Sequence, residues 1–220
     1  MVSHSLEKPV HRRRKQARPS ELTAAALELF VEKGYGTTRL DDVAARAGVS
    51  KGTLYLYFDS KEALFNAVIR EGLLPGFADE EKRIANYTGG SPDLLREVVL
   101  GFWRRVGTKP IGGLPKLIFA EAENFPEIAR FYHDEVIARG LALMREVVAR
   151  GIARGEFRAV DPDAAAHIVI APLLMRMIWA HSLCCCGVPG VPTERYLAEY
   201  LELMLGGLRN ECSQTGRASC

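Results

Sequence analysis

The sequence predicts an all-α protein, with a small helical module near the N-terminus and a larger helical body, about nine helices in all. Three observations lead there. Apolar residues recur at i, i+3 and i+4 through most of the 220 residues, the spacing that gathers them on one face of a helix. No segment sustains the period-two alternation of a half-buried strand. At 48% apolar and 25% charged residues, the chain can build a core and is too apolar for a disordered polymer. A tandem repeat of roughly 20–50 residues, the mark of a solenoid, is absent.

In chain order, Leu22, Ala26, Leu29 and Phe30 share one helical face, and Gly34 follows as a left-handed C-terminal cap. Two very short helices come next, near 39–46 and 51–57, separated by Gly48-Val49-Ser50. Thr38 stands three residues before Asp41, a Thr-x-x-Asp variant of the capping box, and is expected to start the first of them. Leu40, Val43, Ala44 and Ala47 give that helix its apolar face. Gly48 supplies a residue free to take positive φ, Val49 plugs inward, and Ser50 caps the second helix by accepting from the Thr53 N–H. Asp59, Ser60 and Glu62 open a longer helix through Ala63, Leu64, Phe65, Val68 and Ile69. From Ser91 onward, Gly107–Pro115, Asn124–Pro126, Gly155–Pro162 and Gly187–Pro192 interrupt the helical pattern. The last two helices fall at 162–183 and 193–208.

Two helices joined by a short glycine-containing turn form a helix-turn-helix, whose second helix enters the major groove of DNA. Leu54 and Phe58, four residues apart, face inward. They leave Lys51, Gly52, Thr53, Tyr55 and Tyr57 around the outside and the N-terminal end. That set suits DNA. Gly52 lets the helix start approach a phosphate, the hydroxyls of Thr53 and Tyr55 reach phosphates or base edges, and Lys51 and Lys61 are cations flanking the groove. The same residues have plain structural uses: Ser50, Thr53 and Ser60 as caps, and Tyr55 and Tyr57 as packing between helices.

The net charge of +2 conceals an asymmetry. Residues 1–20 hold Lys8, Arg12, Arg13, Arg14, Lys15 and Arg18 against the single acid Glu7. The chain through residue 61 is net basic and the remainder slightly acidic, as expected when one end meets a polyanion. A solvated tail accounts for the run equally well.

Residues 20–65 resemble the DNA-binding domain of the TetR family of transcriptional regulators. The resemblance rests on Phe30, Gly34-Tyr35, Thr38, Val43-Ala44, Ala47-Gly48-Val49-Ser50, Gly52, Leu54-Tyr55, Tyr57-Phe58 and Lys61-Glu62. It implies that Thr38, Tyr55, Tyr57 and Lys61 contact phosphates, and that Lys51, Gly52 and Thr53 face bases or backbone beside Ser50. Two positions depart from the family pattern. Arg39 stands where a small hydroxyl residue is common, and either adds a phosphate contact or points to solvent. Leu56 replaces a residue that is often polar or aromatic, and suits a thymine methyl. On this basis the chain divides into a basic arm at 1–19, a helix-turn-helix domain at 20–65 and a helical body at 66–220. An arm of this kind reaches a minor groove or flanking phosphates and makes binding steeply salt-dependent.

The resemblance further implies a body that binds a small molecule and dimerises. The protein is then expected to be a repressor that holds a palindromic double-stranded DNA operator as a homodimer and is released by a small apolar or amphipathic effector. The segment 117–137 is similar to bodies of AcrR-like members, often tied to efflux control. Small residues at Ala164, Ala165, Ala166, Ala171 and Ala180 permit close helix approach, and Tyr196, Leu197, Tyr200, Leu201, Met204, Leu205 and Leu208 form a stripe. Packed on their symmetry mates, 162–183 and 193–208 would make a four-helix interface; the alternative is an internal core face of a monomer. Phe102, Trp103, Phe119, Phe131, Tyr132, Met144, Met175 and Trp179 are candidate effector lining, with His133 as a polar candidate beside Arg176 and His181. The helix starting at Asp59–Lys61 joins head to body and is the expected lever between two states.

Other functions are less well supported by the residues. An enzyme would need His181 with Cys184–Cys186, or the carboxylates of Asp134, Glu135, Glu121 and Glu123; neither set has the third, orienting group that nucleophilic catalysis requires. No catalytic residue, cofactor or metal site is assigned. Cys184, Cys185 and Cys186 fit either small apolar fillers at a helix end or a thiol- or metal-responsive trigger on a DNA-binding protein. Five cysteines with three consecutive suit no disulfide framework, and Met1–Pro19 lacks the apolar stretch of a secretory signal, so a reducing cytoplasm is expected. Residues 164–186 approach the length of a membrane span, but His167, Pro172, Arg176, His181 and Ser182 interrupt them, which favours a helix buried against protein.

Overall fold

Gly34 and Gly48 adopt φ of +93° and +69°, the left-handed region that a side chain disfavours, and they end the first two helices. Both lie within the computed structural model, which describes residues 19–183 and 190–210. Nearly all of the basic arm, and the Cys184–Cys186 run, lie outside the described residues. Helix α1 (Pro19–Lys33) starts on a proline, whose missing N–H is harmless at a first helical position. Helices α2 (Leu40–Arg46) and α3 (Lys51–Tyr55) follow, and α4 (Lys61–Gly72) leaves the module. Ser50 and Ser60 cap α3 and α4 by accepting from the N–H groups of Thr53 at 3.1 Å and Ala63 at 3.0 Å.

The expected capping box at Thr38 does not form. Arg39, not Thr38, is the extended N-cap residue of α2, and no side chain caps that helix. Thr38 sits one residue too early. Its hydroxyl turns back and donates to the carbonyls of Gly34 at 2.7 Å and Leu29 at 3.3 Å, tying down the end of α1.

The body comprises α5 (Leu74–Ala85), α6 (Ser91–Phe102), α7 (Leu114–Glu121), α8 (Pro126–Tyr132), α9 (Ala138–Ala153), α10 (Pro162–Ser182) and α11 (Thr193–Leu208). One wide π turn, Trp103–Gly107, extends α6, and a second, His133–Ile137, joins α8 to α9. A 3₁₀ turn at Pro110–Gly113 leads into α7, and α4 bends into α5 at Leu73. With such joined segments counted as single rods, nine helices are present among the described residues. No strand interrupts them there; Phe157 and Arg209 form an isolated bridge.

Two apolar clusters hold the rods together. One begins in the module with Leu22, Leu29, Phe30, Leu54, Leu64 and Phe65 and continues through Ile111, Leu114 and Ile128 into the body. The other is centred on Leu94, Val98, Val147, Phe157, Val169, Leu201 and Leu205. Helix α10 turns Ala165, Ala166, Val169, Leu173 and Met177 inward and packs on α9. Pro172 lies within α10 and cannot donate to its ladder. Two α11 hydroxyls serve carbonyls nearby, Tyr200 to Val169 at 2.5 Å and Tyr196 to Pro172 at 3.1 Å. Helix α10 is the one described helix long and apolar enough to cross a membrane. Its opposite face exposes Ile168, Met175 and Trp179.

Candidate nucleic-acid interface and body cavity

Helix α3 has five residues and is held by one inward contact per turn. Leu54 is fully buried and Phe58 nearly so, while Tyr55, Leu56 and Tyr57 stand out from the module at 45%, 82% and 39% exposure. Ser50 and Thr53 share a hydroxyl–hydroxyl hydrogen bond of 2.8 Å, and Lys51 pairs with Asp41 across the turn at 2.9 Å. Arg39 is exposed at the start of α2. Gly52 is exposed too, and a Cβ there would meet nothing nearer than Ser50 Oγ at 3.9 Å. Packing within the protein therefore does not require a glycine. Replacing Ser50 by alanine is expected to destabilise the module by about 1 kcal/mol, read as a shift in the urea midpoint of the full chain.

Thr38 is buried, and Lys61, partly exposed, is engaged with the protein's own backbone. Thr38 is 1% exposed, and its hydroxyl hydrogen is already committed to backbone. Lys61 is turned inward. Its Nζ donates to the carbonyls of Tyr35 at 2.8 Å and Gly36 at 3.2 Å and lies over the rings of Tyr35 and Phe125, 4.4 and 5.6 Å from their centroids. Burial pushes its ammonium pKa below the usual lysine value, against the opposing pull of Glu121. Burial, then the charges of Glu127 and Glu62, push the neighbouring Tyr35 phenol up to about 12. Phe125 meets the Tyr35 ring edge-on at 4.9 Å, and Glu121 Oε1 accepts from the Gly36 N–H at 3.1 Å. This corner thus clamps the module to the body, and its distant partners left no local sign in the sequence.

Inside the body, α4, α5, α6, α9 and α10 enclose an apolar cavity of about 500 Å³. Phe77, Val98, Phe102, Ile137, Leu141, Met144, Ile170, Leu174 and Met177 line it. Leu73 from the end of α4 and Pro115 from the start of α7 also line it. Both π turns reach it, through Arg105 and Val106 and through Val136 and Ile137; such turns recur at functional sites. Its polar lining includes Asp79, Arg105, His167 and Glu80, the last with a side chain 7% exposed. Glu80 accepts from Arg83 Nε and Nη2 at 3.0 and 2.8 Å and from Arg105 Nη2, the pairing a buried carboxylate needs. Tyr132, which also lines the cavity, has a phenol pushed well up by burial. No group of three or more metal-ligating side chains occurs among the described residues.

Residues 22–68 match the model of the bacterial regulatory proteins of the tetR family, and 88–183 match that of a tetracyclin repressor-like C-terminal domain. Together the two stretches span more than half of the chain. The chain belongs to the TetR family. It is a transcriptional regulator that binds DNA through its helix-turn-helix, and not an enzyme. It is 29% identical over 178 residues to the transcriptional regulator RutR of Escherichia coli strain K12, covering 74% of this chain and 71% of that one. To the transcriptional repressor KstR2 of Rhodococcus jostii strain RHA1 it is 26% identical over 198 residues, or 88% and 92% of the two chains. In fold it is similar to the transcriptional regulator FadR of Bacillus subtilis, whose crystal structure is a complex with stearoyl-CoA. The TM-score is 0.70 at 20% identity, covering 87% of this chain and 100% of that one.

Within this TetR fold, the cavity gathers only part of the expected effector lining. Phe102, Tyr132 and Met144 line it; Phe131 does not, and its ring lies under Arg70 instead. Trp103 is buried in the adjacent core, its ring filling the space beside Gly107. Phe119 is 70% exposed, and Met175 and Trp179 lie on the outer face of α10. His133 is exposed and paired with Asp134 at 2.8 Å. Arg176 donates to Thr193 Oγ1 at 2.8 Å and to the Val191 carbonyl, joining α10 to α11. His181 packs against Gly112 and Gly113, and its carbonyl accepts from Lys116 at 2.8 Å. The lining that sequence reasoning missed includes Phe77, Glu80 and Arg105. Gly72, Gly76 and Gly140 also lie on the cavity wall.

Proposed function

We propose that this TetR-family regulator is a repressor whose body binds a small apolar or amphipathic molecule, and that this molecule releases a palindromic operator. The carrying observation is the cavity of about 500 Å³, with a mostly apolar wall that also carries the Glu80–Arg105 ion pair. Its size and lining suit a drug-sized or acyl ligand. The stearoyl-CoA bound to a relative of the same fold supports that choice. Helices α4 and α7 wall the cavity at one end and touch the module at the other, so an occupant that favours one spacing of the two modules shifts operator affinity by its differential affinity alone.

The assembly is a cytoplasmic homodimer through α10 and α11. The exposed apolar residues Ile168, Met175 and Trp179 on α10 and Leu203 on α11 support this; a closed two-fold interface buries such a surface on both copies. Residues 20–65 are the reading module and 66–220 the body. DNA contacts come from Arg39, Ser50, Lys51, Gly52, Thr53, Tyr55 and Tyr57, with the basic arm alongside. Lys51 exchanges Asp41 for phosphate, a trade that an exposed, weak ion pair permits. Thr38 and Lys61 support this surface from behind.

The test is a titration of the full chain on an operator recovered from random duplex DNA, at fixed salt. Fatty acids, acyl-CoA thioesters and apolar aromatic compounds are added in turn, and sedimentation reads the oligomer. A dimer whose operator affinity falls about 5–150-fold with one compound class is expected. A compound that binds the body and leaves operator affinity unchanged defeats the switch.

A further inference from the structure

The outer face of α3 is centred on a side chain that the fold does not use. Leu54 and Phe58 point into the module. At 3.6 residues per turn, a residue two positions beyond Leu54 lies about 200° round the helix, opposite the buried pair. Leu56 occupies that place at 82% exposure, with helical φ and ψ of −70° and −22°. Gly52, one turn earlier, shares the face and brings only backbone to it. The polar residues to the sides are engaged within the module: Lys51 with Asp41 and Thr53 with Ser50. Tyr55 and Tyr57 flank the centre. The middle of the groove-entering face therefore offers backbone at one turn and a branched alkyl group at the next, with the hydroxyls of Thr53 and Tyr55 to its sides.

Among the groups on a major-groove edge, one is apolar, the C5-methyl of thymine. Opposite any other edge, leucine displaces water from base donors and acceptors and returns no hydrogen bond. We propose that Leu56 is a specificity-determining residue of operator recognition, reading the methyl group of one thymine beneath each copy of α3. This goes beyond placing α3 in the groove. It states which side chain selects a base, which base it selects, and that the selection rests on a methyl group instead of a hydrogen bond.

The experiment uses the full chain and an operator recovered from random duplex DNA. Each thymine is replaced in turn by uracil, which removes the methyl and keeps every donor and acceptor. Affinity is measured at one salt concentration for wild type and for Leu56→Ala. The expected result is a thymine in each half-site where uracil weakens wild-type binding about fourfold, the loss of one buried methyl group, and leaves Leu56→Ala indifferent. Leu56→Gln is expected to select a different base at that position. Because the side chain is exposed, both variants should unfold at the wild-type denaturant midpoint. Equal uracil sensitivity of wild type and Leu56→Ala at every thymine overturns the proposal. So does a wild-type operator selected without thymine under α3, or an unchanged selection by Leu56→Gln.

Discussion

Replacing Gly140 by tryptophan is expected to leave operator binding intact and to weaken effector binding at least about a hundredfold, which is about 2.7 kcal/mol. Gly140 sits in the first turn of α9 on the cavity wall, and a Cβ there would meet the Phe77 ring at an ordinary 3.7 Å. The first atom of a new side chain therefore fits, and the rest enters space that the effector needs. Overpacking, which costs about 1–3 kcal/mol in a full core, is avoided because the new side chain enters the cavity and not the packed core. Removing a glycine from a helix also returns a few tenths of a kcal/mol, less than the roughly 0.5–1 kcal/mol of a change to alanine because tryptophan is a weaker helix former. The thermal midpoint should stay level or rise, separating a blocked site from a damaged fold. Gly140→Leu, with less bulk, should give an intermediate loss in the same titration. A tryptophan variant that still leaves DNA at the wild-type effector concentration would move the effector site out of this cavity.

The module was legible because its determinants are local. Gly34, Gly48, Ser50 and Ser60 act on groups within three or four residues of themselves, and each does in the structure what its type requires. Thr38 shows the limit of that reasoning. The capping pattern is satisfied with Thr38 at the cap, but the chain enters α2 one residue later, and the hydroxyl finds α1 carbonyls instead. Lys61 differs from its local reading for another reason. Its cation has a local explanation on a DNA-facing surface, but Phe125, Glu121 and the Tyr35 carbonyl, brought in from afar, draw it inward.

The body resisted the same method because apolar side chains look alike to a periodicity argument. Phe119, Met175 and Trp179 have the spacing and chemistry of pocket residues, yet they are exposed on outer faces. Whether an apolar stripe faces a cavity, a core or another chain depends on how helices far apart in sequence are stacked. The two π turns add to this. Each inserts an extra residue into the helical count, so Arg105 and Val106, or Val136 and Ile137, reach the cavity from positions that a 3.6-residue period assigns to different faces. Glu80 escaped for a related reason: a charged residue in an amphipathic helix reads as surface until two arginines are seen to neutralise it in a wall.

Truncating Phe125 to alanine is expected to disconnect effector binding from DNA release. Helix α7 begins at the cavity, with Pro115 in its wall, and ends at Glu121, which accepts from the Gly36 N–H. Phe125 follows directly, edge-on to Tyr35 and close enough to Gly36 that a Cβ there would lie 3.2 Å from its ring. A displacement of α7 by an occupant of the cavity therefore bears on the turn that positions α2. With the ring gone, the Tyr35 and Lys61 contacts on that side are lost, and stability should fall by about 2 kcal/mol in denaturant unfolding. The stronger effect is on coupling. The variant should bind effector with wild-type affinity, while the ratio of operator affinities without and with effector shrinks about tenfold, or 1.4 kcal/mol. Phe125→Leu retains bulk without the aromatic edge and should recover most of the stability. If the alanine variant is released as readily as wild type, the signal passes through the bend from α5 into α4 at Leu73, and the contact at Phe125 is structural alone.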